Sequence, residues 1–269
     1  MEEKVKTEKQ NIFYIVNTDG EVIGTTDRVP DRKVINENTR AFLKNKNRQF
    51  FWLECLPATP LMPELTPTLL TRTMVLGSYV NYNQTIGADG VCTKAKLSKM
   101  LNITEGRAYQ ILRELSSKGI VETSQFSSVI KIKKYFMKGR VKKEQRSADC
   151  RIIKLYSLSV RSLILGSKNS LVYAAYIIRL LPYLNSNNNL LCNNVEEPLF
   201  NSCRPLTKKQ ISLLLQSNEK NPDILIDNLK KVVFFYDGCE YPILIEEKVG
   251  RRTVYKINEN FAQTTRKKM

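Results

Sequence analysis

Arg107, Gln110 and Arg113 follow one another at steps of three in the run Thr104-Glu105-Gly106-Arg107-Ala108-Tyr109-Gln110-Ile111-Leu112-Arg113. At helical pitch that spacing gathers side chains toward one side. An arginine fork matches O6 and N7 of guanine, and a glutamine amide matches N6 and N7 of adenine. Ala108, Ile111, Leu112 and Leu115 recur as an apolar stripe that can seat the helix. Gly106, Gln110, Arg113 and Ser117 fall opposite it, with Arg107 and Tyr109 on the flanks. Thr104, in the turn before the helix, joins Gly106, Arg107, Tyr109, Gln110 and Arg113 as an expected DNA contact, and Gly106 leaves the first turn thin enough for close approach. Singly, arginine and glutamine are ordinary solvent-facing helix formers. Their meaning depends on the elements around them.

A second concentration of chemistry lies just downstream. Residues 131–154 hold Lys131, Lys133, Lys134, Lys138, Arg140, Lys142, Lys143, Arg146, Arg151 and Lys154 against Glu144 and Asp149, a local charge of +8. Such a stripe can neutralise several phosphates and makes binding steeply salt-dependent. The bland alternative is a solvated basic linker. A third group, Lys248, Arg251 and Arg252 around Gly250, suits a phosphate or minor-groove contact. It equally suits a charged hairpin tip.

One plan occurs twice in the chain, over about residues 66–140 and 167–261. Each copy begins with an apolar helix ending in a matching phrase, Leu76-Gly77-Ser78-Tyr79-Val80-Asn81 and Leu180-Leu181-Pro182-Tyr183-Leu184-Asn185. A short helix follows, opened by Thr93-Lys94 or Thr207-Lys208 with threonine as cap. A third helix comes next, at about 105–118, stopped by Gly119, and from Asn221-Pro222-Asp223 onward. Ile120-Val121 with Val129 to Ile132, and Ile243-Leu244-Ile245 with Val254 to Ile257, predict a closing β-ribbon in each copy. Helix, helix, helix, ribbon is the order of a winged helix, whose third helix enters the major groove. The second copy carries about ten extra residues between its first two helices, read as a loop over Ser186 to Pro205. Its third helix presents Asp223, Asp227 and Lys230, a poor match to a groove lined by phosphates. Upstream, Ile12 to Gly24 around Asp19-Gly20 predicts a hairpin. Asn38 to Lys46 reads as a polar helix, Phe50 to Leu53 as a strand or packing plug, and Pro57 to Pro67 as a linker.

Composition bounds the alternatives. The chain has 269 residues, 43 Lys and Arg against 26 Asp and Glu, and a net charge of +17. Residues 1–64 are neutral, so the surplus lies in the repeats and the stripe. A polyanionic partner is expected. There is no histidine, which removes the commonest general base and metal ligand. The six cysteines Cys55, Cys92, Cys150, Cys192, Cys203 and Cys239 contain no C-x-x-C pair, so buried thiols are expected, with no metal and no cofactor. No phosphate-binding glycine loop is present. Asp223 and Asp227 are the nearest thing to a paired carboxylate site for a metal-dependent nuclease, and no enzymatic activity is expected. The charged N-terminus lacks a secretory leader pattern. The apolar run Leu171 to Leu184 falls short of the ~18–20 residues of a membrane span and is interrupted by Arg179 and Pro182. A cytoplasmic protein without membrane association is expected.

Residues 12–140 resemble the small winged-helix replication proteins and regulators of Gram-positive plasmids and phages. The resemblance rests on Phe13-Tyr14-Ile15-Val16-Asn17-Thr18-Asp19-Gly20-Glu21-Val22-Ile23-Gly24, on Tyr79-Val80-Asn81-Tyr82 and on Tyr135-Phe136-Met137-Lys138-Gly139-Arg140. In that family an Asn-Pro usually precedes the last phrase, where this chain has Lys133-Lys134. Residues 176–216 resemble the same family's Leu-Pro-Tyr-Leu, Leu-Cys-Asn and Pro-Leu-Thr-Lys-Lys stretch. The tandem plan also looks like two-winged-helix initiators that bind repeated origin sites. The resemblance implies a DNA-binding protein of a mobile element.

The sequence therefore predicts a mostly α fold, with tandem winged helix-turn-helix domains at 65–140 and 167–269, a basic connector at 141–166 and a small N-terminal α+β region at 1–64. The expected partner is duplex DNA, with a second copy of the chain or a replication or transcription protein as further candidates. The expected function is sequence-specific DNA binding as a transcriptional regulator. A replication initiator is the alternative within that class, and a protein–protein adaptor the alternative outside it.

Overall fold

The computed structural model describes residues 13–16, 22–26, 49–87, 90–123, 128–139, 149–164, 170–217 and 221–264. They belong to two compact units, Met1–Asn45 and Lys46–Met269. In the first unit, β1 (Phe13–Val16) pairs antiparallel with β2 (Val22–Thr26), from Phe13 opposite Thr26, with a register shift between Ile15 and Val16. The hairpin expected there forms. The helix expected at Asn38 to Lys46 lies outside the described residues.

The second unit begins with β3 (Phe50–Cys55), whose alternation buries Phe51, Leu53 and Cys55. Then come α1 (Pro67–Gly77), α2 (Lys94–Leu101), α3 (Glu105–Ser117), the ribbon β4 (Val121–Thr123) with β5 (Ile130–Ile132), and β6 (Phe136–Met137). The chain next enters β7 (Arg151–Tyr156), α4 (Ser157–Arg161), α5 (Leu171–Leu180), α6 (Lys208–Leu215) and α7 (Pro222–Lys230). The hairpin β8 (Val233–Tyr236) and β9 (Cys239–Pro242), the ribbon β10 (Leu244–Val249) and β11 (Arg252–Ile257), and β12 (Ala262–Thr264) complete it.

The fold class read from the sequence needs correction. Strand accounts for about 26% of the described residues, in several small antiparallel sheets and one sheet of four strands, so this is not a mostly α tandem of winged helices. The four-stranded sheet runs β12-β7-β3-β6. Its two inner strands, β3 and β7, open the two halves of the chain, and its outer strands, β6 and β12, close them. Phe51 lies opposite Leu155, and Leu53 opposite Ile153, with all four buried. β7 escapes a reading by charge because Arg151 and Lys154 interrupt an apolar strand. The hairpin β8–β9 carries an Asp237-Gly238 turn with both residues at positive φ, the strongest short hairpin signal in a sequence. It inserts between the third helix and the ribbon of the second half.

The two halves nevertheless match in detail. Asn81 and Asn185, which end the paired phrases, each accept the amide two residues on, Asn83 and Asn187, at 2.9 Å. Thr93 caps α2 and Thr207 caps α6, the latter within a full capping box with Gln210. Both helices end on a left-handed residue, Asn102 or Gln216. Ile120 accepts from Lys133 as Ile243 accepts from Asn258. The halves also share one core. Thr71 of α1 donates to the carbonyl of Leu171 at the start of α5 at 2.7 Å, and Arg179 donates to Leu65 at 2.8 Å. Arg161 lies 3.8 Å over the Tyr79 ring and donates to the Ser78 carbonyl at 2.8 Å. Ser186 to Pro205, expected as a loop, pairs Leu184 with Leu191 and Cys192 with Pro205. It buries Leu190, Cys192, Val195 and Cys203 against Val254.

Candidate nucleic-acid interface

The seating of α3 follows from its sequence. Thr104 is extended, and its hydroxyl accepts from the Arg107 amide at 3.5 Å. Ala108, Ile111 and Leu115 are buried. Asn102 turns left-handed at φ +49°, swinging the chain from α2 into α3. The opposite side is open. Gly106, Arg107, Gln110 and Arg113 are exposed, and Tyr109 keeps 48% of its surface. A Cβ added to Gly106 would meet nothing within 4 Å, so packing does not require glycine there. Arg107 donates to Gln110 Oε1 at 2.9 Å, which fixes the two side chains against each other. Glu105 and Glu114, next to Gly106 and Arg113 in sequence, are the exposed negative charges that border this row.

Other cations gather around α3. Lys94, at the first position of α2, lies 5.0 Å over the Tyr109 ring, and Lys99 is exposed on the same helix. Arg72 of α1 stands close enough to Arg107 that the second charge, after burial, holds its guanidinium below the usual range. Among the described residues the Arg72 Nε has no hydrogen-bond partner. Attention to α3 alone overlooks Lys94, Lys99 and Arg72. The Thr93-Lys94 opening of α2 is the signal that finds Lys94, Lys99 lies further along the same helix, and only the packing of α1 finds Arg72.

The structure divides the basic stripe. Lys131, Lys133 and Lys134 are exposed on or beside the β4–β5 ribbon, with Lys133 paired to Glu122 at 2.9 Å. That pairing holds the Glu122 carboxyl below its ordinary range. Lys138 is half-buried and donates to the Phe50 carbonyl. Burial, then the charge of Arg161, holds its ammonium below the usual value. Lys154 lies 4.5 Å over Phe50 and 4.7 Å over Tyr156. Arg151 is buried, donating to the Pro182 carbonyl at 3.2 Å and paired with Glu196 at 3.1 Å. Thus three of the cations serve the protein's own packing. Arg140, Lys142, Lys143 and Arg146 lie outside the described residues.

In the second half, Lys248, Arg251 and Arg252 are exposed at the tip of the β10–β11 ribbon, where Gly250 takes φ +60°. The carboxylates of α7 are paired, Asp223 with Lys208 of α6 at 2.6 Å and Asp227 with Lys230 at 3.0 Å. Among the described residues, no group of three Cys, Asp or Glu could hold a metal ion, and no helix is long and apolar enough to cross a membrane. The chain matches no protein family, no curated protein and no solved structure.

Proposed function

We propose that this protein binds specific duplex DNA through α3, as a cytoplasmic transcriptional regulator of a phage or plasmid and without catalytic activity. One observation carries the reading. A capped, core-seated helix offers Gly106, Arg107, Gln110 and Arg113 to solvent, and its neighbours add Lys94, Lys99 and Lys131. Arginine and glutamine on such a helix supply the two bidentate base contacts, and flanking lysines supply phosphate contacts. The resemblance of short segments to replication and regulatory proteins of Gram-positive mobile elements supports the biological setting. An adaptor would not need this concentration of cations.

Site selection from a random duplex pool, with the full chain, tests the reading. One consensus is expected to emerge. Arg113→Ala and Gln110→Ala should each lose about 1–3 kcal/mol on that site and far less on random DNA. Wild-type affinity of both variants for the selected site would overturn α3 as the reader. Mapping bound sites in cells separates regulator from initiator, promoters indicating the first and one repeat-rich origin the second.

A further inference from the structure

The two halves place the same helix pair in the same local geometry with opposite surface chemistry. Measured from the capping residues, Leu97 and Leu101 of α2 correspond to Ile211 and Leu215 of α6, all buried. Ala108 and Leu115, beyond the Thr104 cap, correspond to Leu225 and Val232 beyond Asn221, again all buried. The exposed positions diverge. Leu213 stands where α2 has Lys99, and it is 78% exposed. Ile224 stands where α3 has Arg107, and it is 51% exposed. Asp223 and Asp227 stand where α3 has Gly106 and Gln110. Leu213 and Ile224 thus stand open on packed neighbouring helices with charged residues beside them in sequence.

We infer that the α6–α7 pair is the face through which two copies of this chain associate about a two-fold axis. The occupant follows from self-complementarity. α6 carries Lys208, Lys209 and Leu213, whereas α7 carries Asp223, Ile224 and Asp227, with Lys230 at its end paired to Asp227 and Glu246. The ion pair between Lys208 and Asp223 sets the two helix starts side by side. A two-fold contact is isologous, so what α6 of one copy offers must suit α7 of the other. Laying α6 on the partner's α7 sets Leu213 against Ile224 twice and lysines against aspartates twice. Elsewhere the +17 charge of each copy opposes approach. On this face Asp223 and Asp227 offset all but one of Lys208, Lys209 and Lys230. The contact so drawn uses no residue of α3. The inference does not depend on what α3 reads.

Sedimentation equilibrium of the full chain, without DNA, is the test. The mass should rise with concentration from 31.0 kDa to twice that value and stop there. Leu213→Lys and Ile224→Arg, which install the residues of the first half, should each weaken association at least tenfold. Both sites are solvent-exposed, so each variant should keep the wild-type thermal melt, and either one alone suffices. Lys208→Asp/Lys209→Asp and Asp223→Lys/Asp227→Lys should each be monomeric alone and should form a heterodimer when mixed. A wild type that stays at 31.0 kDa, masses beyond a dimer, folded variants that associate like wild type, or a failed mixing rescue would each overturn the inference.

Discussion

Gly77 and Gly106 show how differently two glycines are used. A Cβ on Gly77 would meet the Phe136 ring at 2.5 Å, whereas one on Gly106 meets nothing within 4 Å. Gly77→Ala should therefore cost about 1–3 kcal/mol through overpacking, read from urea unfolding. Gly106→Ala should raise stability by up to ~1 kcal/mol, since alanine favours the helix, while weakening the selected duplex. Unchanged duplex affinity would show that the open first turn has no part in binding. The thiols set a pH limit. Burial pushes Cys55 and Cys192 from 9.0 up to about 12, and Tyr255 from 10.0 up to about 12. Their folded values exceed the unfolded ones, so their contribution is complete below about pH 9 and lost as pH rises toward 12. The melting temperature should fall across that window, and less steeply in Cys55→Ala/Cys192→Ala. Parallel slopes would assign the alkaline loss to other groups.

The ribbon and the central sheet divide the basic stripe between them. Lys131 and Lys134 face solvent, whereas Lys138, Lys154 and Arg151 bond to Phe50, its ring or Pro182. Lys131→Ala and Lys134→Ala should each lower the log–log salt slope of DNA binding by about 0.9 if they contact phosphate, with unaltered melting. Lys138→Ala and Arg151→Ala should do the reverse, lowering stability by about 1–3 kcal/mol with little change of slope. A uniform effect across all four would mean that the inward cations also reach DNA. Capping could be read directly from Thr93 and Asn221, because a cap depends only on residues a turn away. The direction of Lys138 and Arg151 could not, because their partners lie in strand β3 and in the turn after α5.

For the second unit as a whole, the shared sheet governs where the chain can be divided. Cutting near residues 155–160 parts β7 from β12 and α1 from α5, and starting at residue 65 also removes β3, exposing apolar surface on both pieces. Fragments of about 65–155 and 160–269 should lack a cooperative thermal transition, although each holds a full helix-helix-helix-ribbon plan. A sharp melt from the 65–155 fragment would show that the sheet is dispensable. The sequence by itself determined the elements that depend on neighbours along the chain. These are the N-terminal hairpin, the three helices of each half with their caps, the closing ribbons and the polar row on α3. The pairing of β3 with β7 was decided only in the tertiary structure, because it joins residues about a hundred positions apart and no local period encodes that choice. The same holds for the two fates of the lysines and arginines in the stripe. A cation's charge is written in the sequence, but whether it meets solvent or a carbonyl depends on which distant strand arrives beside it.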